Sequence, residues 1–300
     1  MIDEHVQHPP AASTLRRRAV PFLLTGLLTL LLAAPTSASG VIAGPIAPVA
    51  PTSVVAPAPS TTVSPATTAS TMAADILGWL NRDRAAAGLR PLRAWTSMAT
   101  LAGQRSANMA AANTATHQAA GGDPGTALTR AGLGWFSWGE IVGWTSWPWG
   151  GKAAADLYRM WKGSPYHHDI MFSRRYNYIG VGIGRASNGA TYSSILFTES
   201  ADHTRPSAHN SSLSYSGSTV RFKWSGSDPL LQTHTAGLRS FDIEYRVDGG
   251  WWHLLRNNTT ATSLSLSGRA HRHSYSFRVQ SADRRGNLSA WTAVKRIWLP

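Results

Sequence analysis

The chain has 300 residues, enough for about two domains of ordinary size, and its 43% hydrophobic content excludes wholesale disorder. It has no cysteine, which excludes disulfides, thiol nucleophiles and metal sites with cysteine ligands. The formal charge of +13 is uneven, because residues 204–300 carry 13 basic and 5 acidic side chains, a net +8. Such a segment attracts polyanions through long-range electrostatics.

The N-terminus has the composition of an export signal. Three arginines, Arg16-Arg17-Arg18, precede an apolar run from Phe22 to Ala34, and small residues follow as far as Ala38. The apolar run is shorter than the ~20 residues of a membrane-spanning helix. We expect residues 1–38 to be a cleaved signal peptide that leaves a secreted protein without a transmembrane segment.

The next segment, 39–72, is uncharged and rich in Pro, Ala, Ser and Thr. No periodic apolar face can form there, so we expect an extended linker. From Ala73 the apolar spacing becomes helical, with Ile76, Leu77 and Leu80 on one face and a stop at Gly88. Further helices are expected near 98–109, 126–130 and 152–161. A β-hairpin should follow over 178–183 and 192–197, which together indicates an α+β domain.

After about Arg205 the apolar period changes to two. Alternating strands are expected near 220–224, 241–247, 264–266, 275–279 and 294–297, a pattern typical of an all-β sandwich. The phrases Trp224-Ser225-Gly226-Ser227-Asp228-Pro229 and Asp283-Arg284-Arg285-Gly286-Asn287 resemble a bacterial fibronectin type III-like module. That resemblance spans 205–300 and implies an immunoglobulin-like fold.

Three titratable residues stand in distinctive phrases: His117 after Thr116, Glu140 in Trp138-Gly139-Glu140-Ile141, and His167 after Ser164-Pro165-Tyr166. Two imidazoles and a carboxylate can hold a metal, transfer a proton or hydrogen-bond one another. No His-x-x-x-His spacing fixes them locally, so the fold must bring them together. His168 is expected to be the exposed neighbour of His167, since consecutive side chains face different ways.

These phrases, in this order, resemble the CAP superfamily of SCP-like extracellular proteins (cysteine-rich secretory, antigen 5 and pathogenesis-related), in its bacterial form. The resemblance covers 73–203, from Leu80-Asn81-Arg82-Asp83 through Trp161-x-x-Ser164-Pro165-x-His167 to Ile179-Gly180-Val181-Gly182. It implies a three-layer fold with a cleft. The expected fold class is therefore α+β: a CAP-type α-β-α sandwich followed by an all-β immunoglobulin-like (fibronectin type III-like) sandwich.

The resemblance also implies a pocket of two histidines and two acidic residues, and this sequence departs from it. His117 and Glu140 match the first of each, whereas Ser164 and Thr191 stand at the other two positions. His167 and His168 lie where bacterial members usually carry a histidine. A zinc ion held by the full tetrad is correspondingly disfavoured.

Three functions stay open at this point. The favoured one is an extracellular binding module at the cell surface or wall, with a cleft lined by His117, Glu140 and His167. Its partner would be a cell-wall polymer, an acidic polysaccharide or a lipid, and no specific nucleic acid is expected.

The first alternative is a zinc hydrolase in which His117 and His167 bind the metal and Glu140 is a third ligand or the general base. The second is a lipid carrier, which needs an apolar tunnel near the tryptophan-rich stretch 135–149.

Overall fold

A computed structural model describes residues 65–300, with side chains from residue 68 onwards. The predicted signal peptide and most of the predicted linker lie outside these residues. Contacts place the described residues in one compact unit. Within the described part of the chain, no helix is long and apolar enough to cross a membrane.

The first half is built on a four-stranded sheet. Its strands are β1 (Arg93–Ala94), β2 (Ser137–Thr145), β3 (Tyr178–Arg185) and β4 (Thr191–Glu199). The spatial order is β1-β3-β4-β2, in which β1 is parallel to β3 and the other neighbours are antiparallel. β2 is therefore an edge strand.

Helices cover both faces of this sheet. They are α1 (Pro65–Ala86), α2 (Thr96–Ala112), α3 (His117–Ala120), α4 (Pro124–Arg130), α5 (Gly151–Gly163) and α6 (Pro165–Met171). One face packs on α1, α5 and α6 through a core that includes Leu80, Leu157 and Trp161. The other face packs on α2 and the short helices after it. The expected α-β-α sandwich is confirmed.

Helix α2 lies directly on strand β3, and glycine makes this possible. Gly180, Gly182 and Gly184 face the helix, and a Cβ added at Gly182 would lie 2.1 Å from the carbonyl carbon and oxygen of Ala102. The close contact fixes the height of α2 over the sheet, and with it the side chains that α2 points toward β2.

Several elements differ from the sequence-based expectation. α1 begins at Pro65, inside the predicted linker, and Met72 is buried in the core. β2 was not predicted, because Ser137 to Ile141 are all buried and show no polar alternation. α6 was also missed: Pro165, shortly after the predicted helix near 152–161, opens a new helix, a position where its missing N–H costs nothing.

The second half forms seven strands: β5 (Ser207–Ser216), β6 (Thr219–Ser227), β7 (Leu238–Val247), β8 (His253–Thr259), β9 (Ser263–Leu266), β10 (His273–Asp283) and β11 (Lys295–Leu299). They make two sheets, β11-β10-β7-β8 and β5-β6-β9, around one core that includes Phe222, Ile243 and Phe277. The predicted all-β sandwich is confirmed. β5 and β8 escaped prediction because their side chains are mostly exposed.

The connection between β6 and β7 packs against the first half of the molecule. Leu231 is only 2% exposed and joins a core cluster with Met98, Trp138 and Tyr178. Beside it, Thr233 Oγ1 donates to the carbonyl of Arg175 at 2.9 Å. The β-sandwich therefore contributes a side chain to a core of the α-β-α half.

Candidate functional site

Glu140, on the edge strand β2, is the centre of a buried polar cluster. Its carboxylate accepts two hydrogen bonds from the Arg105 guanidinium, Nε to Oε1 at 2.6 Å and Nη2 to Oε2 at 2.8 Å. Ser194 Oγ donates to Oε1 at 2.6 Å. Burial alone would raise the pKa of Glu140, but the bonds from His117 and Arg105 outweigh it and hold this pKa below its usual value. The carboxylate is therefore ionised and fully occupied.

His117 is the first residue of α3 and reaches the same carboxylate. Thr116 caps the helix by accepting from the amide of Ala119 at 3.1 Å, which fixes the backbone at His117. His117 Nδ1 lies 2.7 Å from Glu140 Oε2. Because an ionised carboxylate only accepts hydrogen bonds, Nδ1 carries a proton. Glu140 thus fixes the orientation of this ring.

His167 approaches the edge of β2 from the opposite layer of the sandwich. It lies on α6, is 9% exposed, and its Nδ1 is buried without a hydrogen-bond partner among the described residues. Burial lowers the pKa of His167, and the nearby His117 lowers it further. A neutral imidazole with an unsatisfied nitrogen can form a hydrogen bond with a ligand or bind a metal.

A cavity of about 250 Å³ separates the two imidazoles. His117, Thr116 and Ala115 line one side, and Ser164, Tyr166 and His167 line the other; Val142, Gly143, Trp144 and Met160 complete the wall. The edge position of β2 explains this arrangement, since both helical layers reach past the last strand there. The structure thus brings His117 and His167 to one cavity, while Glu140 lies behind His117.

Arg105 and Ser194 belong to this site but were not predicted as site residues. Arg105 lies within the predicted helix near 98–109, at a position that proves to be buried. A charged side chain on the buried face of a helix needs a partner, and that was the available signal. Ser194 gave none, because a serine in a strand pattern is unremarkable.

The other predicted positions have plainer roles. Ser164 lines the cavity between α5 and α6. Thr191 is buried and donates to the carbonyl of Trp147 at 2.8 Å. The His168 side chain is 45% exposed, as predicted, and its ring stacks on Phe172.

The donor set does not fit a zinc site with three protein ligands. Both Glu140 oxygens accept hydrogen bonds already, which leaves two imidazoles. Within residues 65–300, a single group of three side chains meets the spacing that one ion requires, and it lies elsewhere: Asp202, Asp228 and Asp283, with oxygens within 4.8 Å of one another.

Residues 77–198 match the family model described as CAP, the cysteine-rich secretory protein family. This segment is a CAP domain. The match contains His117, Glu140 and His167, so the cluster and the cavity are features of the CAP domain. No curated protein matches the sequence.

Solved structures similar to the chain include proteins of bacteria. An outer surface protein from Borrelia burgdorferi shares 15% identity over 43% of this chain and 93% of its own, with a TM-score of 0.39. An extracellular protein with an SCP domain from Bacillus anthracis shares 19% identity over 46% of this chain and 45% of its own, with the same TM-score of 0.39. An Fn3-like protein from Clostridium thermocellum shares 19% identity over 32% of this chain and 96% of its own, with a TM-score of 0.24.

Proposed function

We propose that this is a secreted CAP-domain protein that acts as a binding module at the cell surface or wall. Its CAP domain would offer the His117–His167 cavity. Its β-sandwich, a fibronectin type III-like unit, would serve as a spacer or adhesive unit on wall polymers. The observation that carries the proposal is the full engagement of Glu140 by Arg105, Ser194 and His117.

A general base needs a lone pair within reach of the water it activates. Glu140 is buried at 2% exposure and shares both oxygens with a guanidinium, which supports a positioning role for it. What remains at the cavity is a pair of imidazoles among apolar and hydroxyl groups. That combination suits the recognition of a polar ligand better than hydrolysis.

Charge supports an anionic partner. The excess of basic side chains in residues 204–300 would draw the protein toward acidic polymers. The cavity between the imidazoles has a volume of about 250 Å³. This is small for an acyl chain, since ligand pockets for molecules of drug size begin at roughly 300 Å³. An acidic polysaccharide is therefore the partner we propose.

The test is co-sedimentation of the purified protein with insoluble cell-wall material and with an immobilised acidic polysaccharide. Released reducing sugar is measured in the same tubes. We expect retention without released sugar, and equal retention after the protein has been treated with a chelator. His168→Ala is the matched control for His117→Ala and His167→Ala.

The opposite outcomes are equally clear. Sugar release that is lost on chelation and in the His117 and His167 variants, but kept in His168→Ala, would establish the zinc hydrolase instead. No retention on any wall or acidic polymer would remove the binding proposal.

A further inference from the structure

We propose that a second cleft, where the CAP domain meets the β-sandwich, binds a pyranose ring that carries a carboxylate. The inference rests on the proposed function and deepens it, because it names the site and the sugar chemistry by which an acidic polysaccharide would be held. The cleft has a volume of about 560 Å³. Its main lining residues are Trp95, Trp135, Phe136, Asp202, His203 and Arg285.

The aromatic rings of this cleft are held in place before any ligand arrives. The indole N–H of Trp135 donates to Thr129 Oγ1 at 3.3 Å. The backbone amide of Phe136 donates to the carbonyl of Glu199 at 2.7 Å, and its ring packs on His234 at 4.7 Å between centroids. Preorganised rings lose little entropy when a ligand packs on them.

A deeper wall is formed by a cluster of three rings in mutual contact. His203 packs on Trp95 and Tyr178, with centroid distances of 4.1 and 3.9 Å, and the Trp95 and Tyr178 centroids are 5.6 Å apart. Phe136 nevertheless remains 51% exposed at the mouth. Exposed aromatic groups around a concave surface are typical of ligand sites, because they bury large areas on binding. The apolar C–H face of a pyranose ring is a ligand of suitable size and shape.

The charge in the cleft selects an acidic sugar. Arg285 is exposed, and its guanidinium has no hydrogen bond or ion pair with any described residue. Its backbone amide donates to Asp283 Oδ1 at 2.8 Å, which anchors the base of the side chain. A free guanidinium binds a carboxylate through two parallel hydrogen bonds.

The carboxylate that lines the cleft, Asp202, lies beside Asp228 and Asp283 and forms no ion pair with Arg285. It is 3% exposed, and its Oδ1 accepts from the Tyr178 hydroxyl at 3.1 Å and from the Thr204 amide at 2.8 Å. Its Oδ2 accepts from the Ala236 amide at 2.8 Å. Both oxygens therefore accept hydrogen bonds from the protein, and among the residues that line the cleft Arg285 is the exposed charged side chain.

The experiment measures binding to the purified secreted protein by calorimetry and tryptophan fluorescence. The paired probes are an oligogalacturonate and its methyl ester, which differ only in the charge of the carboxyl group. Glycan strands that contain N-acetylmuramic acid form a second arm, because their ether-linked carboxylate offers the same chemistry from a peptidoglycan source. The arm with the tighter binding identifies the source.

We expect the acid to bind about tenfold more tightly than its ester, the ratio that corresponds to ~1.4 kcal/mol. Arg285→Gln should abolish this preference without weakening the ester, and Arg285→Lys should restore part of it. Trp135→Ala and Phe136→Ala should weaken both probes. The controls are Arg221→Gln, and Trp251→Ala, whose ring is 88% exposed elsewhere on the surface. Both should match the parent protein.

Two results would overturn the inference. One is a preference for the acid that survives in Arg285→Gln. The other is loss of binding in His117→Ala with none in Trp135→Ala, which would leave the proposed function intact and move the polymer to the imidazole cavity. Absence of binding to every acidic polymer would defeat both proposals together.

Discussion

At the scale of single residues, the CAP domain depends on one buried ion pair. Arg105 and Glu140 are both about 2% exposed, so neither charge is solvated by bulk water. Each is stable only because the other compensates it, together with Gly122, Ser194 and His117. The pair therefore holds α2, β2 and α3 together, and with them the position of His117.

We predict that Arg105→Met lowers the free energy of unfolding by about 3–5 kcal/mol, because it leaves the Glu140 charge buried without its partner. The double variant Arg105→Met/Glu140→Leu should lose clearly less than the sum of the two single variants. Urea unfolding followed by tryptophan fluorescence measures all four proteins. Strict additivity would show that the two side chains are not coupled.

A second residue-scale prediction concerns acid stability. Burial against Trp95 and Tyr178 lowers the pKa of His203, so the folded protein binds its proton less readily than the unfolded chain, where an imidazole titrates near ~6.5. The titration of His203 therefore has no effect on the free energy of unfolding at high pH, and it lowers this free energy as the pH falls through the pKa of the unfolded chain.

His203→Phe keeps an aromatic ring against Trp95 and Tyr178 and removes the titration. We expect this variant to lose less stability than the parent protein between pH 7.5 and 5.5, as measured by urea unfolding at each pH. An equal loss in the two proteins would assign the acid sensitivity to other groups.

At the scale of elements, the contact between α2 and β3 sets the geometry of the site. Gly182→Ala should destabilise the protein by about 1–3 kcal/mol or more, because the new methyl group meets the backbone of Ala102, which cannot move without the whole helix.

Gly103→Ala, on the facing helix α2, is the matched comparison. A Cβ at Gly103 would meet no atom within 4 Å, so this variant should gain about 0.5–1 kcal/mol from helix propensity. Thermal unfolding of both variants measures whether each substitution lowers or raises the stability. A stable Gly182→Ala protein would mean that α2 does not rest on β3 as described.

At the scale of the whole molecule, the β6–β7 connection links the two halves. Leu231→Ala should destabilise the CAP domain by about 2–5 kcal/mol, the usual effect of truncating a buried leucine. The adjacent Leu230 is 53% exposed, and Leu230→Ala should stay within about 0.5 kcal/mol of the parent protein. Equal effects at the two positions would show that Leu231 is not part of the shared core.

Helices and strands were predicted most accurately where the spacing of apolar residues within the element itself identifies it. The alternating runs of β6, β7 and β10 and the helical spacing of α1 and α5 follow from side chains a few positions apart. β2 was missed because its residues are buried on both faces, so the strand shows no alternation. α6 was missed because a proline such as Pro165 can either follow the end of one helix or occupy the first turn of the next.

The sequence by itself determined the fold class and placed His117, Glu140 and His167 in one family pattern, since each stands in a recognisable local phrase. Only the tertiary structure decided what these residues do for one another. Glu140 is engaged by Arg105, 35 residues before it, and by Ser194, 54 residues after it. The junction cleft likewise joins Trp95 and Trp135 to Arg285. Contacts over such separations depend on how helices and strands pack, which no local pattern specifies.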